Sequence, residues 1–352
     1  MLKQLFFFIL LIFFACSNTG GEDSEQVQSF SSQNKTSIPC FVYHRFGEPD
    51  LPSTNISISV FRQQLEYLQQ HDYKVLTIGE LNEFYRSDST FENVAVLTVD
   101  DGYKSFIENA MPLLDEFGYS ATIFINTESI GSSGYLNWSE IDQLKESGIE
   151  IGNHSHSHAH FINQNGEVNL DNFRSDTERA QDLFKEEIAL VPTVYAYPYG
   201  EFVPAMHEVL KDLGFKSATA QKSGVISNQS DFYELPRFPM GGPYATLEGF
   251  ISKIKMKPLI ISSVEPVSPV IESNPPKLTL AIADFDQYQG NAIQCFIGGE
   301  QVNLTTISAG KYEVTAPQPL NSRRTLYTIT IPDQKGNWYW YSHLWINPRI
   351  QE

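Results

Sequence analysis

Positive charge is scarce in this 352-residue chain: 24 lysines and arginines stand against 42 aspartates and glutamates, a formal net charge of −18. So acidic a chain repels phosphate backbones, which excludes non-specific nucleic-acid binding and fits a protein that meets a neutral or basic polymer. Cysteine is scarcer still, at three residues. Once Cys16 is assigned to the leader below, Cys40 and Cys295 lie too far apart for a disulfide framework, and neither has metal-site spacing. Cys40 sits in the apolar run IPCFVY and reads as a small buried hydrophobe. No long-period repeat runs through the chain. The remaining usage, 41% hydrophobic and 19% charged, is that of an ordinary globular protein and excludes wholesale disorder.

The N-terminus, MLKQLFFFILLIFFAC, holds Lys3, an apolar run from Leu5 to Phe14, and then Ala15-Cys16. The run is too short for a membrane span and suits a signal-peptide core. A cysteine directly after a small residue at the end of such a core has the form of a bacterial lipoprotein signal. Residues 1–16 are therefore expected to be a leader, with Cys16 the lipidated first residue of the mature protein. That places the chain at the bacterial cell envelope, held to a membrane by a lipid anchor and facing the periplasm or the exterior. Residues 17–37 are polar and read as a flexible tether.

From residue 38 to 257, strand-like runs alternate with amphipathic helical patterns. CFVY, KVLTI, VAVLTV, SATIFI, IEIG, TVYAY, KSATA and ELPRF are the strand candidates. Between them, Phe61, Leu65 and Leu68 mark a helix face behind the cap candidate Ser59, and Thr77 with Glu80 forms a capping box. KSFIENAMPLLDEFG reads as one helix ending near Gly118, and a long helix is expected from about 169 to 187. Repeated βα units predict a parallel sheet, and seven or eight strands favour a closed barrel with its site at the strands' C-terminal ends. Residues 258–276 are rich in proline and serine and read as an inter-domain linker; residues 277–352 carry short β-type runs and read as a small all-β sandwich. Of the aromatics Trp338, Tyr339, Trp340, Tyr341 and Trp345 in that region, alternation along a strand makes half core, and the core reading is preferred to a sugar-stacking face.

Four polar clusters begin where strands stop. LTVDDGY places Asp100 and Asp101 at the end of the most apolar strand, where adjacent carboxylates must be solvated, hydrogen-bonded or metal-bound. GNHSHSHAHF holds four of the eight histidines, His154, His156, His158 and His160. Two of them spaced four apart, with a carboxylate from another strand, make a three-ligand divalent-metal site with a position open to water. The pairs 154/158 and 156/160 both satisfy the spacing, and the first lies nearer the strand end. YAYPYGEF can turn a main-chain N–H toward an oxyanion, although alone it is a Pro-Gly turn. His44 ends the first strand in FVYHRFG, a position that taken alone is more often structural.

Together LTVDDGY, EIGNHSHSH and AYPYG resemble the polysaccharide deacetylases of the NodB homology type, in the family's order and over roughly residues 38–257. The resemblance implies a distorted (β/α)7-8 barrel of that type, here followed by the sandwich-like domain. It implies Asp101, His154 and His158 as ligands of a divalent metal, zinc ahead of cobalt, nickel or iron, with Asp100 as the base. Ser155 then supports the loop, and the Tyr199 N–H assists the oxyanion. The family's later Leu-x-His motif, which supplies the general acid, has no counterpart; YHRF instead resembles the permuted branch of poly-N-acetylglucosamine deacetylases, which gives His44 that role. The family's arginine before Pro-Tyr is Ala196 here, and Arg237 in LPRF is the substitute for orienting Asp100. The implied activity is metal-dependent hydrolysis of N-acetyl groups on an N-acetylhexosamine-containing extracellular or cell-wall polysaccharide. An O-acetyl polysaccharide esterase and a non-catalytic glycan-binding lipoprotein are the alternatives.

Overall fold

A computed structural model describes residues 37–87 and 91–351. The leader, the Cys16 anchor and all but the last residue of the tether lie outside them. Strand β1 (Ile38–Tyr43) is buried along its whole length and leads to helix α1 (Ile58–Gln70), which buries Phe61, Leu65 and Leu68. The cap is Ser57, not Ser59: its hydroxyl accepts the Val60 N–H, three residues on, so the helix starts earlier than the sequence suggests. Strand β2 (Lys74–Leu76) and helix α2 (Ile78–Arg86) follow, with the Thr77–Glu80 capping box formed.

Strand β3 (Val94–Val99) is apolar and buried throughout, as expected of a strand covered on both faces. The helical pattern after it is not one helix. It opens as a π turn at Phe106–Ala110 and settles into α3 (Met111–Phe117), where Pro112 has no N–H to continue the earlier ladder. Then come β4 (Thr122–Ile125), α4 (Trp138–Glu146), β5 (Glu150–Asn153), α5 (Leu170–Ile188), β6 (Val194–Ala196), α6 (Pro204–Asp212), β7 (Ser217–Thr219), β8 (Val225–Ile226), β9 (Phe238–Pro239) and α7 (Leu247–Ile254).

Strands β1, β3, β4, β5, β6 and β7 run parallel in that order, with β2 beside the start of β3 and β8 antiparallel to the start of β1. The sheet curls until its ends meet across one short segment. Leu235 bridges Thr219 of β7, and β9 pairs in parallel with Phe41 and Val42 of β1. With so few backbone bonds on that side the result is an irregular, partly closed barrel. Its rim carries the ends of β1, β3, β5 and β6, where the four polar clusters stand.

The C-terminal strands are β10 (Lys257–Pro258), β11 (Ile261–Glu265), β12 (Lys277–Ile282), β13 (Gln294–Ile297), β14 (Glu300–Val302), β15 (Thr305–Ser308), β16 (Lys311–Thr315), β17 (Arg324–Pro332) and β18 (Trp338–Ile346). They form a five-stranded sheet, β10-β18-β17-β13-β14, and a four-stranded sheet, β11-β12-β16-β15. The two share a core that includes Leu278, Leu280, Cys295, Tyr327, Ile329 and Trp345. The Pro/Ser-rich segment 258–276 supplies β11 to this pair, because its stretch Ile261–Glu265 is free of proline. Trp345 is buried, Tyr339, Trp340 and Tyr341 are half-buried, and Trp338 is exposed, so it is not core. Trp340 packs edge-on against Phe238 of β9, with ring centroids 5.4 Å apart.

Candidate active site

The DDG cluster turns sharply after β3. Asp101 has φ +76, a left-handed conformation that a residue with a side chain adopts only when its surroundings demand it. The turn sends the two carboxylates different ways. Asp100 is wholly buried, and both its oxygens accept from the Arg237 guanidinium, Nη1 at 2.7 Å and Nη2 at 2.8 Å. Arg237 is equally buried; its Nε donates to the Ala220 carbonyl, and Nη1 also reaches the Thr98 hydroxyl. Burial opposes the charge on Asp100, but the Arg237 charge beside it, followed by His154, holds the carboxyl below its ordinary pKa. A fork-shaped partner thus keeps this carboxylate ionised and aimed.

Asp101 turns the other way, toward the histidines. Its Oδ1 lies 3.4 Å from Nε2 of His154 and 3.3 Å from Nε2 of His158, and those two nitrogens are 3.2 Å apart. These three atoms form the one group of ligating side chains close enough to share an ion among the described residues. The donor set fits a cation on geometry as well as chemistry. Tetrahedral zinc with bonds of about 2.0–2.1 Å separates its ligand atoms by about 3.3 Å. The tautomer fits too: Nδ1 of His154 is 2.7 Å from the Ala196 carbonyl, which can only accept, so Nε2 presents its lone pair. Burial works against the charge on Asp101, yet the imidazoles of His154 and then His158 beside its Oδ1 hold its pKa well below the usual carboxylate range.

The loop after β5 is held by its own side chains. Asn153 Oδ1 accepts the Ser155 N–H at 2.7 Å, and the Ser155 hydroxyl accepts the His158 N–H at 2.9 Å. Asp176 of α5 accepts the N–H groups of His156 and Ser157. Ser155 and His158 take positive φ, +67 and +53, and this compact turn brings positions 154 and 158 together. His156 faces the Thr127 hydroxyl at 2.8 Å, and His160 faces Glu201 at 3.1 Å, so the alternating pair points elsewhere.

Tyr199 stands beside the ligands. Its ring centroid is 4.6 Å from that of His158 and 3.8 Å from that of His160, on which it stacks. Its backbone is left-handed, φ +59. Gly200 follows at φ +70, where an added Cβ would lie 2.2 Å from the Gln221 backbone nitrogen. Gly200→Ala should therefore lower unfolding stability by about 1–3 kcal/mol and displace the Tyr199 turn. Denaturant unfolding checks this, and an unchanged midpoint would contradict it. His44, partly exposed at the end of β1, feels the charges of Asp101, Asp100, Arg237 and His154; burial keeps its pKa below the ordinary imidazole value despite the two aspartates.

All seven residues singled out from the sequence, His44, Asp100, Asp101, His154, His158, Tyr199 and Arg237, therefore stand at or directly against one rim site. Sequence reasoning missed Thr98, the Ala196 carbonyl and Asp176, which act through backbone or distant helix positions with no motif of their own.

Fold and site together define a partly closed α/β barrel whose rim carries paired aspartates and a His–His–Asp cluster. Residues 87–218 match the family described as polysaccharide deacetylase, whose members are hydrolases. It is 27% identical over 210 residues to the poly-β-1,6-N-acetyl-D-glucosamine N-deacetylase of Staphylococcus aureus, covering 56% of this chain and 71% of that protein. In fold it is similar to IcaB from Ammonifex degensii, with TM-score 0.55 and 24% identity over 62% of this chain and 97% of that one. It is likewise similar to the Streptococcus pyogenes deacetylase PplD, with TM-score 0.56 and 19% identity over 62% and 98%.

Proposed function

We propose that this protein is a metal-dependent N-deacetylase of an N-acetylhexosamine-containing polysaccharide of the bacterial envelope, with poly-β-1,6-N-acetylglucosamine as the first substrate to test. The observation that carries the reading is the Asp101–His154–His158 cluster beside the Asp100–Arg237 pair. The S. aureus relative supports the choice of polymer. The leader sequence supports export and a lipid anchor on Cys16.

Asp101, His154 and His158 would hold the divalent cation, zinc ahead of cobalt, nickel or iron, and it supplies Lewis-acid polarisation of the acetyl carbonyl and acidification of the attacking water. Asp100, kept ionised by Arg237, takes the proton from that water as it adds to the carbonyl carbon. The main-chain N–H at Tyr199 faces the oxyanion that forms. His44 gives its proton to the amine nitrogen as the C–N bond breaks, leaving acetate and a free amino sugar. Its depressed pKa makes it a willing donor once charged.

His44→Ala should slow turnover about a hundredfold without loss of the bound cation, the usual scale for one general acid. Full activity in that variant would remove His44 from the mechanism. The reading as a whole is tested by acetate release from N-acetylated and O-acetylated glycans side by side. Release from the amide substrates supports it, and release from esters alone would reassign the site to ester hydrolysis.

A further inference from the structure

The turn that carries Tyr199 is held from outside the barrel. Glu201, two residues on, is buried, and both its oxygens accept from Arg323, Nε at 2.7 Å and Nη2 at 2.9 Å. Arg323 is buried as well and donates to the carbonyls of Ile162, Pro348 and Ile350. Glu201 Oε2 also meets His160, whose ring lies flat on Tyr199. Arg324 Nη1 donates to the Tyr199 carbonyl itself and to Gln221 Oε1, tying the turn after β6 to the segment after β7. Leu344 and Ile346 of β18, paired with the start of β17, bury themselves among Phe161, Phe173, Tyr195 and Tyr197 of the barrel, so the arginines rise from a fixed base.

We propose that Arg323 and Arg324 are positioning residues for the hydrolysis: they fix the main chain at Tyr199, so that the C-terminal sheets complete the active site. The physical case is the geometry of the turn: the pinned Tyr199 carbonyl lies in the peptide unit next to the one that carries the Tyr199 N–H. A carbonyl pinned by a guanidinium fixes the orientation of its residue, and a buried bidentate pair two residues later fixes the exit. An oxyanion donor is effective only when already aimed, and a misplacement of about 1 Å costs about a hundredfold. This inference rests on the reading above that the Tyr199 N–H serves the oxyanion.

The test uses the full chain and compares wild type, Arg324→Ala and Arg324→Lys on a β-1,6-linked N-acetylglucosamine oligomer. Arg324 is half-buried, so its truncation should fold, whereas Arg323→Ala would strand the Glu201 carboxylate in the interior. The expected result is a fall in kcat of about tenfold to a hundredfold with KM nearly constant, partly restored in Arg324→Lys. Hydrogen exchange at residues 197–202 should quicken in Arg324→Ala and recover in Arg324→Lys. An unchanged kcat, an effect confined to KM, or unchanged exchange in Arg324→Ala would each overturn the proposal. An inactive wild type would count against the deacetylase reading, while the exchange result would still decide whether Arg324 holds the turn.

Discussion

Asp100→Asn is expected to abolish turnover, by about a thousandfold or more, and to leave the protein's cation content unchanged. Two features of the site separate those outcomes. Both carboxylate oxygens of Asp100 face Arg237, whereas the histidine nitrogens gather around Asp101. An asparagine there still accepts one guanidinium hydrogen bond and keeps the shape of the turn, but an amide takes no proton from water. Arg237 then carries a buried charge without its counter-ion, so some loss of stability accompanies the loss of rate. Acetate release and elemental analysis on one preparation distinguish the possibilities. A folded variant that had lost its cation would make Asp100 a ligand and break the division of labour between the two aspartates.

The second large effect is removal of the cation. Stripping the protein with a chelator should lower activity at least about a thousandfold, the several kcal/mol that Lewis-acid assistance provides, and zinc should restore it. His154→Ala should be as inactive and should not recover with zinc. The reason lies in the support around that ring: His154 is buried, and its hydrogen bond to the Ala196 carbonyl leaves only Nε2 to face Asp101 and His158. No other histidine, cysteine, aspartate or glutamate among the described residues shares that cluster. Activity that survives both chelation and His154→Ala would mean hydrolysis without a metal.

Much of this was legible in the sequence, for definite reasons. The βα alternation is a matter of local period and capping, and the Thr77–Glu80 box forms as its spacing predicts. Asp100, Asp101 and His154 sit at or next to strand ends, so recognising a strand also places the polar residues that follow it. The choice between the 154/158 and 156/160 pairs needed more than spacing. It is made by the positive φ of Ser155 and His158 and by Asp176, far along the chain, which spacing alone does not reveal. The Ser57 cap was missed because two serines fit the pattern and only the fold chooses the register. The break before α3 was visible at Pro112. Contacts across the Pro/Ser-rich segment were beyond local reading: nothing near Arg323 and Arg324 points to Glu201 or Tyr199, over a hundred positions earlier.

The central claim is that the paired aspartates and the two histidines carry out cation-dependent amide hydrolysis on a glycan. The most direct test is to incubate the full chain with poly-β-1,6-N-acetylglucosamine, with zinc and after chelation, and to count acetate and free amines together. Equal amounts of both are expected with zinc and neither after chelation. Equal release in both conditions, or no amine from this or any other N-acetylated glycan, would contradict it.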